Sequence, residues 1–191
     1  MSDPVEQLVG QAQAGNYEAA SQLVAQFYKR IFAYLRRLCA HDEDAADLTQ
    51  QTFARLWVAL PSYAGRSSLS TWLHGMAHHV YVDWRRVRNF TQPQTDEWWA
   101  TCTTPNPSPF EEAAERDLAH QLYRAVEQLP EDTRQTVHLR YYQGLTLAET
   151  AEVLGIASST VKYRLREALG FLRSRMAEPK QPIPHTLNRA S

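Results

Sequence analysis

Ser159, Lys162, Tyr163 and Arg166 stand at i, i+3, i+4 and i+7, which on a helix gathers two hydroxyls and two cations into one stripe. A duplex groove offers that stripe base edges to read and phosphates to neutralise. From Ile156 to Met176, the bases Lys162, Arg164, Arg166, Arg173 and Arg175 face one acid, Glu167, a net of plus four. An amphipathic hairpin with a solvated basic face accounts for the charge alone. It does not account for the cap, glycine and apolar seam found around it, so the chemistry indicated is nucleic-acid binding.

A second constellation has the spacing of metal ligands. His74 with His78, and His79 with Asp83, are i, i+4 pairs. The pairs fall on different parts of one helix, and no glutamate completes a zinc-protease motif. With no glycine-rich phosphate loop and no serine nucleophile elbow either, no catalytic residue, metal or cofactor is assigned, and the chain is not read as an enzyme.

The DNA stripe needs a scaffold, and the stretch from Gly144 to Met176 provides one. Thr146 and Glu149 have capping-box spacing at the start of a helix running to about Leu154. Gly155 suits the left-handed corner that ends it, and Ser158 or Ser159 can cap the next helix. Ala151, Leu154 and Ile156 then meet Val161, Leu165, Ala168 and Leu172 in an apolar seam. The result is a helix-turn-helix.

Length and composition bound the rest. The 191 residues, 43% of them hydrophobic, suffice for one ordinary domain or two small ones. Their net charge of −1 conceals basic helices beside acidic segments. Two cysteines, Cys39 and Cys102, make neither a disulfide framework nor a four-cysteine zinc site, which fits a reducing cytoplasm. The sequence shows no signal-peptide layout and no run of bilayer length, so a cytoplasmic protein without membrane insertion is expected.

In chain order, Asp3 and Pro4 open a first helix whose inner face is Val5, Leu8, Val9 and Ala12. A second, from Tyr17 to Cys39, carries Leu23, Phe27, Ile31, Leu35 and Leu38. A third opens at Asp42, buries Phe53, Leu56, Trp57 and Leu60, and stops before Pro61. After the loop PSYAGRSSLS, Ser70 caps a fourth helix to about Arg88, with Leu73, Met76, Ala77, Val80, Trp84 and Val87 inside. Its exposed side carries His78, His79, Arg85, Arg86 and Arg88. Residues 1–90 thus form a helical bundle.

Residues 91–110 lose all periodicity and read as a flexible linker, in which Trp98 and Trp99 dock either on a partner or on the first bundle. Residues 111–177 form the second module: a helix with Leu118, Leu122 and Val126, another from Pro130 with Val137 and Tyr141 inside, then the helix-turn-helix. Residues 178–191 read as a disordered tail with three prolines. The fold class is all-α: an N-terminal helical bundle and a C-terminal helix-turn-helix domain joined by a flexible linker.

Three separated segments, DLTQQTFARLW from Asp47, STWLHGMAHHVYVDWRR from Ser70 and LTLAETAEVLGIASSTVKYRLREAL from Leu145, together resemble the extracytoplasmic-function (ECF) group of bacterial RNA polymerase sigma factors, which keep only regions two and four. The resemblance covers about Leu23 to Met176. It implies a factor that binds core RNA polymerase and directs promoter-specific transcription initiation, recognising minus-35 and minus-ten DNA elements near the bacterial nucleoid.

By that resemblance Asp47, Leu48, Gln50, Gln51 and Phe53 bind the polymerase clamp helices, with Gln51 where relatives commonly have an acid. Arg66, Ser67, Ser68 and Trp72 belong to the minus-ten loop or pocket, and His78, His79, Arg85 and Arg86 to the adjoining surface; Trp72 also suits a simple core position. GMAHH replaces the basic residue and asparagine frequent in relatives, which bears on promoter sequence. Ser158, Ser159, Thr160, Lys162, Tyr163, Arg164 and Arg166 face the minus-35 element, with Arg164 nearer a phosphate. An anti-sigma factor is a further partner the group suggests. A response regulator or repressor would share the C-terminal fold, but the polymerase-binding and minus-ten segments would then be unnecessary.

Overall fold

The computed structural model describes residues 4–39, 41–88, 119 and 121–177. Asp3, the expected linker with Trp98 and Trp99, the second module from Glu111 to Leu118, and the tail 178–191 lie outside them. The described chain runs α1 (Pro4–Gln13), α2 (Tyr17–Leu38), α3 (Asp42–Ala59), a 3-10 turn (Leu60–Ser62) and α4 (Leu69–Arg88). It continues with α5 (121–127), α6 (Glu131–Val137), a π-helical segment (His138–Tyr142), α7 (Leu147–Leu154) and α8 (Ser158–Ala177). No described helix is long and apolar enough to cross a membrane.

In the N-terminal bundle α2 is the central strut. Asn16 caps it, its side chain accepting from the Ala19 N–H at 3.2 Å, and Leu23, Phe27, Ile31, Leu35 and Leu38 are buried along one face. α4 lies against it through Leu73, Ala77 and Val80. Ser68 rather than Ser70 caps α4: its hydroxyl accepts from the Thr71 N–H at 3.1 Å, and the helix begins at Leu69, two residues before the Thr71 start expected. The α3 expectation holds at its end and departs at one side chain. The helix stops before Pro61 as expected, Leu60–Ser62 tightening into a 3-10 turn, but Trp57, expected buried, is 40% exposed. Val87, expected inside, is 71% exposed.

The second module builds around α8. Thr146 and Glu149 form the expected capping box on α7, and Gly155 closes it at φ +64°, a conformation that a Cβ disfavours. α8 begins at Ser158 itself, with the Ala157 carbonyl accepting from Thr160 and Val161, so neither serine caps it in the way expected. Val161, Leu165 and Ala168 pack with Ala151, Val126, Leu129 and Val137. Tyr141 does not join them. The π-helical segment, closed by the Gln143 N–H on the His138 carbonyl, adds a residue to the turn; His138 and Leu139 rotate inward and Tyr141 is left 57% exposed.

The two modules are packed on each other. Leu139, Leu145 and Val153 belong to the same apolar cluster as α2, α3 and α4, and Leu154 lies against that cluster instead of in the helix-turn-helix seam. α7 runs along α4. Polar bonds stitch the junction: Arg30 donates to the Gln143 carbonyl at 2.6 Å, His74 Nε2 pairs with Gln143 Oε1 at 3.3 Å, and the Thr71 hydroxyl donates to Glu149 at 2.9 Å. Tyr81 donates to Glu131 at 2.9 Å, and Arg85 forms an ion pair with the same carboxylate. Arg37 lies 4.1 Å from the Tyr142 ring centroid and 5.2 Å from that of Tyr123.

Candidate nucleic-acid and polymerase interface

On α8 the seam holds Val161, Leu165 and Ala168 down, which turns the opposite stripe outward. Ser158, Ser159, Lys162, Tyr163 and Arg166 are exposed and Thr160 is half-buried. Arg164 is drawn back instead. Its guanidinium donates to the Asp132 carboxylate at 2.6 Å and ties α8 to the start of α6. Lys162 and Arg166 therefore carry the positive charge of the first turns of the outward face.

The loop between the 3-10 turn and α4 surrounds a cavity of about 900 Å³, closed on its other side by Val9 of α1 and by Phe27 and Arg30 of α2. Arg66 and Ser68 are exposed at its rim and Ser67 is half-buried. Tyr63 shapes the loop: its hydroxyl donates to the Ser67 carbonyl at 2.7 Å, and its ring lies 4.8 Å from that of Trp72 at a 39° tilt. Trp72 is half-buried, between the pocket and core roles expected of it. Tyr63 was not among the expected site residues; an aromatic two positions before Gly65 in a serine-rich loop is the signal that marks it.

Along α4 the cations divide. Arg86 is exposed, whereas Arg85 is engaged with Glu131 and Arg88 with Asp44. His79 is exposed and its Nδ1 pairs with the Gly75 carbonyl at 2.7 Å. His78 departs from the surface position expected: it is half-buried, 3.2 Å from the Tyr34 hydroxyl, and burial pushes its pKa down to about 4. It is a neutral packing group here, not a cation. His74 is wholly buried, held by the Ser70 carbonyl and Gln143, and burial lowers its pKa. Asp83 faces Arg55 at 3.3 Å. The three histidines and Asp83 thus each turn to other groups and do not converge on one point.

On α3 the expected polymerase set separates by face. Asp47, Gln50 and Gln51 are exposed, while Leu48 is fully buried and Phe53 is 6% exposed, its ring 6.0 Å from that of Tyr28. Leu48 and Phe53 are core residues that orient the helix, and a partner cannot touch them without unpacking it. The surface Asp47 and Gln51 share runs on through Ala54 and Val58, with Trp57 at its border. Trp57 and Val58 were not anticipated. An apolar pair at the end of an acidic amphipathic helix was the available clue; Trp57 was read as core because burial and contact both favour apolar side chains, and Val58 was given no role.

The families described as Sigma-70 region 2 and Sigma-70, region 4 match residues 23–91 and 119–172. RNA polymerase sigma factor YlaC of Bacillus subtilis is 30% identical over 167 residues, covering 86% of this chain and 95% of its own. ECF RNA polymerase sigma factor SigX of the same organism is 28% identical over 83% of this chain and 84% of its own. Among solved structures, CnrH in complex with the cytosolic domain of CnrY superposes with a TM-score of 0.66 at 24% identity, over 91% of this chain and 97% of that one. RpoE of Bartonella quintana in complex with the anti-sigma factor NepR gives 0.67 at 20%, over 84% and 98%. Both share the fold. With regions two and four matched in order and a relative aligned over nearly its whole length, the chain belongs to the extracytoplasmic-function sigma factors, which bind core RNA polymerase and direct promoter-specific transcription initiation.

Proposed function

We propose that this sigma factor divides its labour among three surfaces: α3 on the polymerase, the loop and α4 on the minus-ten element, and α8 on the minus-35 element. Residues 1–90 carry the first two and residues 111–177 the third. The observation that carries the reading is the outward stripe of α8, whose Ser158, Ser159, Lys162, Tyr163 and Arg166 are exposed while Val161, Leu165 and Ala168 are packed beneath. A major groove admits such a helix, and an arginine donates two N–H groups to one guanine. Arg164, held by Asp132, sets the tilt of α8 and lies on its flank toward the phosphates.

At the other end, the cavity beside Arg66, Ser67 and Ser68 has room for a nucleobase taken from the stack, with Tyr63 supplying an aromatic face, Trp72 backing the Tyr63 ring, and His79 and Arg86 exposed along α4. Asp47, Gln50 and Gln51 meet the polymerase, with Trp57 and Val58 extending that contact. The protein acts without catalysis of its own, in the cytoplasm. Two of the similar structures are complexes with partner proteins, one of them named as an anti-sigma factor, which makes such a factor a partner for this chain as well.

The test is base preference in a randomised minus-35 library. Arg166→Ala costs about 1 to 3 kcal/mol and relaxes preference at a single position. An unchanged base preference in that variant contradicts readout by Arg166.

A further inference from the structure

Resting on the assignment of the loop before α4 to the minus-ten element, we propose that Gln13 of α1 is a positioning residue for that loop. Its side-chain amide fixes where the Tyr63 ring stands and thereby sets which base the cavity accepts. Gln13 Nε2 donates to the Leu60 carbonyl and to the Tyr63 carbonyl, each at 2.9 Å. A glutamine amide nitrogen carries two protons, and both are used here. The two carbonyls bracket the 3-10 turn: that of Leu60 also accepts from the Tyr63 N–H at 3.0 Å, the bond that closes the turn. Gln13 thus grips the chain at the residue from which the loop departs.

Packing aims the amide. Gln13 stands one helical turn beyond Val9, the buried residue of α1, and Val5, Leu8 and Ala12 lie against the same core. α1 is therefore a fixed wall, and Gly10, Gln13 and Tyr63 all border the cavity that separates it from the loop. From Tyr63 onward the loop carries an internal tie, the Tyr63 hydroxyl on the Ser67 carbonyl at 2.7 Å, and it ends at Ser68, whose hydroxyl caps α4. Tyr63 is held at its backbone by Gln13 and at its hydroxyl by Ser67, with Trp72 against its ring. A base stacked on that ring takes its register from it, so a shift of the turn changes which base edge meets Arg66, Ser67 and Ser68. Stability does not account for the clamp. Gln13 is exposed, water serves an exposed carbonyl almost as well, and ordering a glutamine costs side-chain entropy that two such bonds barely offset. What the bonds supply is position, across 47 and 50 places in sequence.

The experiment uses the full chain with core polymerase on linear templates whose minus-ten segment is randomised. A second library carries the selected minus-ten sequence and a randomised minus-35 segment. Gln13→Glu is isosteric and has no amide protons; Gln13→Met has none either and adds no charge. Both are expected to lower base preference at one minus-ten position about fivefold or more, with minus-35 preference unchanged and the thermal midpoint within about 3 °C of the parent. Tyr63→Ala is expected to lose preference at the same position. A loss in Gln13→Glu alone assigns the effect to added charge and overturns the clamp. An equal fall at every minus-ten position is the mark of a merely structural role and overturns it too. Unchanged preference in both Gln13 variants beside a loss in Tyr63→Ala overturns the positioning role and leaves the pocket standing. Unchanged preference in Tyr63→Ala, or no minus-ten preference in the parent chain, overturns the pocket and the positioning role with it.

Discussion

The Thr71 hydroxyl of α4 donates to Glu149 at 2.9 Å, while the other oxygen of the same carboxylate accepts from the Thr146 N–H at 2.8 Å and closes the capping box of α7. One side chain therefore serves the start of a helix and the junction between two modules. The Thr146 backbone bond and the surrounding hydroxyls hold the Glu149 carboxyl below the usual carboxylate range. That charge is the point at which the helix-turn-helix and the loop before α4 meet.

The corner of the helix-turn-helix should be sensitive to backbone chemistry alone. Gly155 has φ +64° and nothing within 4 Å of where a Cβ would stand, so Gly155→Ala meets strain and no clash. The expected loss is about 1 to 2 kcal/mol, measured by urea unfolding followed by helical circular dichroism. Unchanged stability would mean that the corner relaxes to another conformation.

Asp47 and Phe53 are separated in effect by burial. Asp47→Arg leaves stability within about 0.5 kcal/mol of the parent and lowers affinity for core polymerase about tenfold, because only a contact charge is reversed. Phe53→Ala empties a packed position and costs about 3 to 5 kcal/mol in stability. Competition binding and thermal melts on the same two proteins check both. Normal polymerase affinity in Asp47→Arg removes α3 from the interface.

The histidines make stability fall with acid. Burial holds His78 down to about 4 and His138 down to about 3, with Arg37 and Arg134 adding to the effect at His138. The folded chain therefore keeps both neutral at pH values where the unfolded chain, titrating at about 6.5, takes up protons. The unfolded state binds more protons in that window, so stability is lost progressively from about pH 6.5 downward. His74, lowered by burial, acts in the same direction. Glu149 has the opposite identity, a lowered carboxylate, and its contribution is lost only in the more acid range where that group protonates. Melting temperatures from pH 7.5 to 5 should decline; a flat or rising series contradicts the burial of these rings.

Local signals made most of the architecture readable. The capping box at Thr146 and Glu149, Gly155 and the α2 stripe are decided within a turn or two of chain, where spacing and backbone preference act. Leu48 and Phe53 are buried for a physical reason: a motif marks a helix as functional, but which of its side chains packs inward and which faces solvent depends on packing from α2 and α4. Tyr141 shows the limit of a 3.6-residue period, since the π-helical turn after His138 rotates everything beyond it. The junction between the two modules was not readable at all. Thr71 and Glu149 are 78 positions apart, and nothing local distinguishes a threonine that caps its own helix from one that also bonds another module.

The central claim, a factor that gives core polymerase two-element promoter specificity, is tested most directly by transcription from linear templates in which both upstream segments are randomised. With this chain and core polymerase, the account predicts RNA starting at a fixed site, from templates that share two separate sequence elements held at a constant spacing. No RNA above that made by core polymerase alone, or enrichment of a single element without initiation, would contradict it.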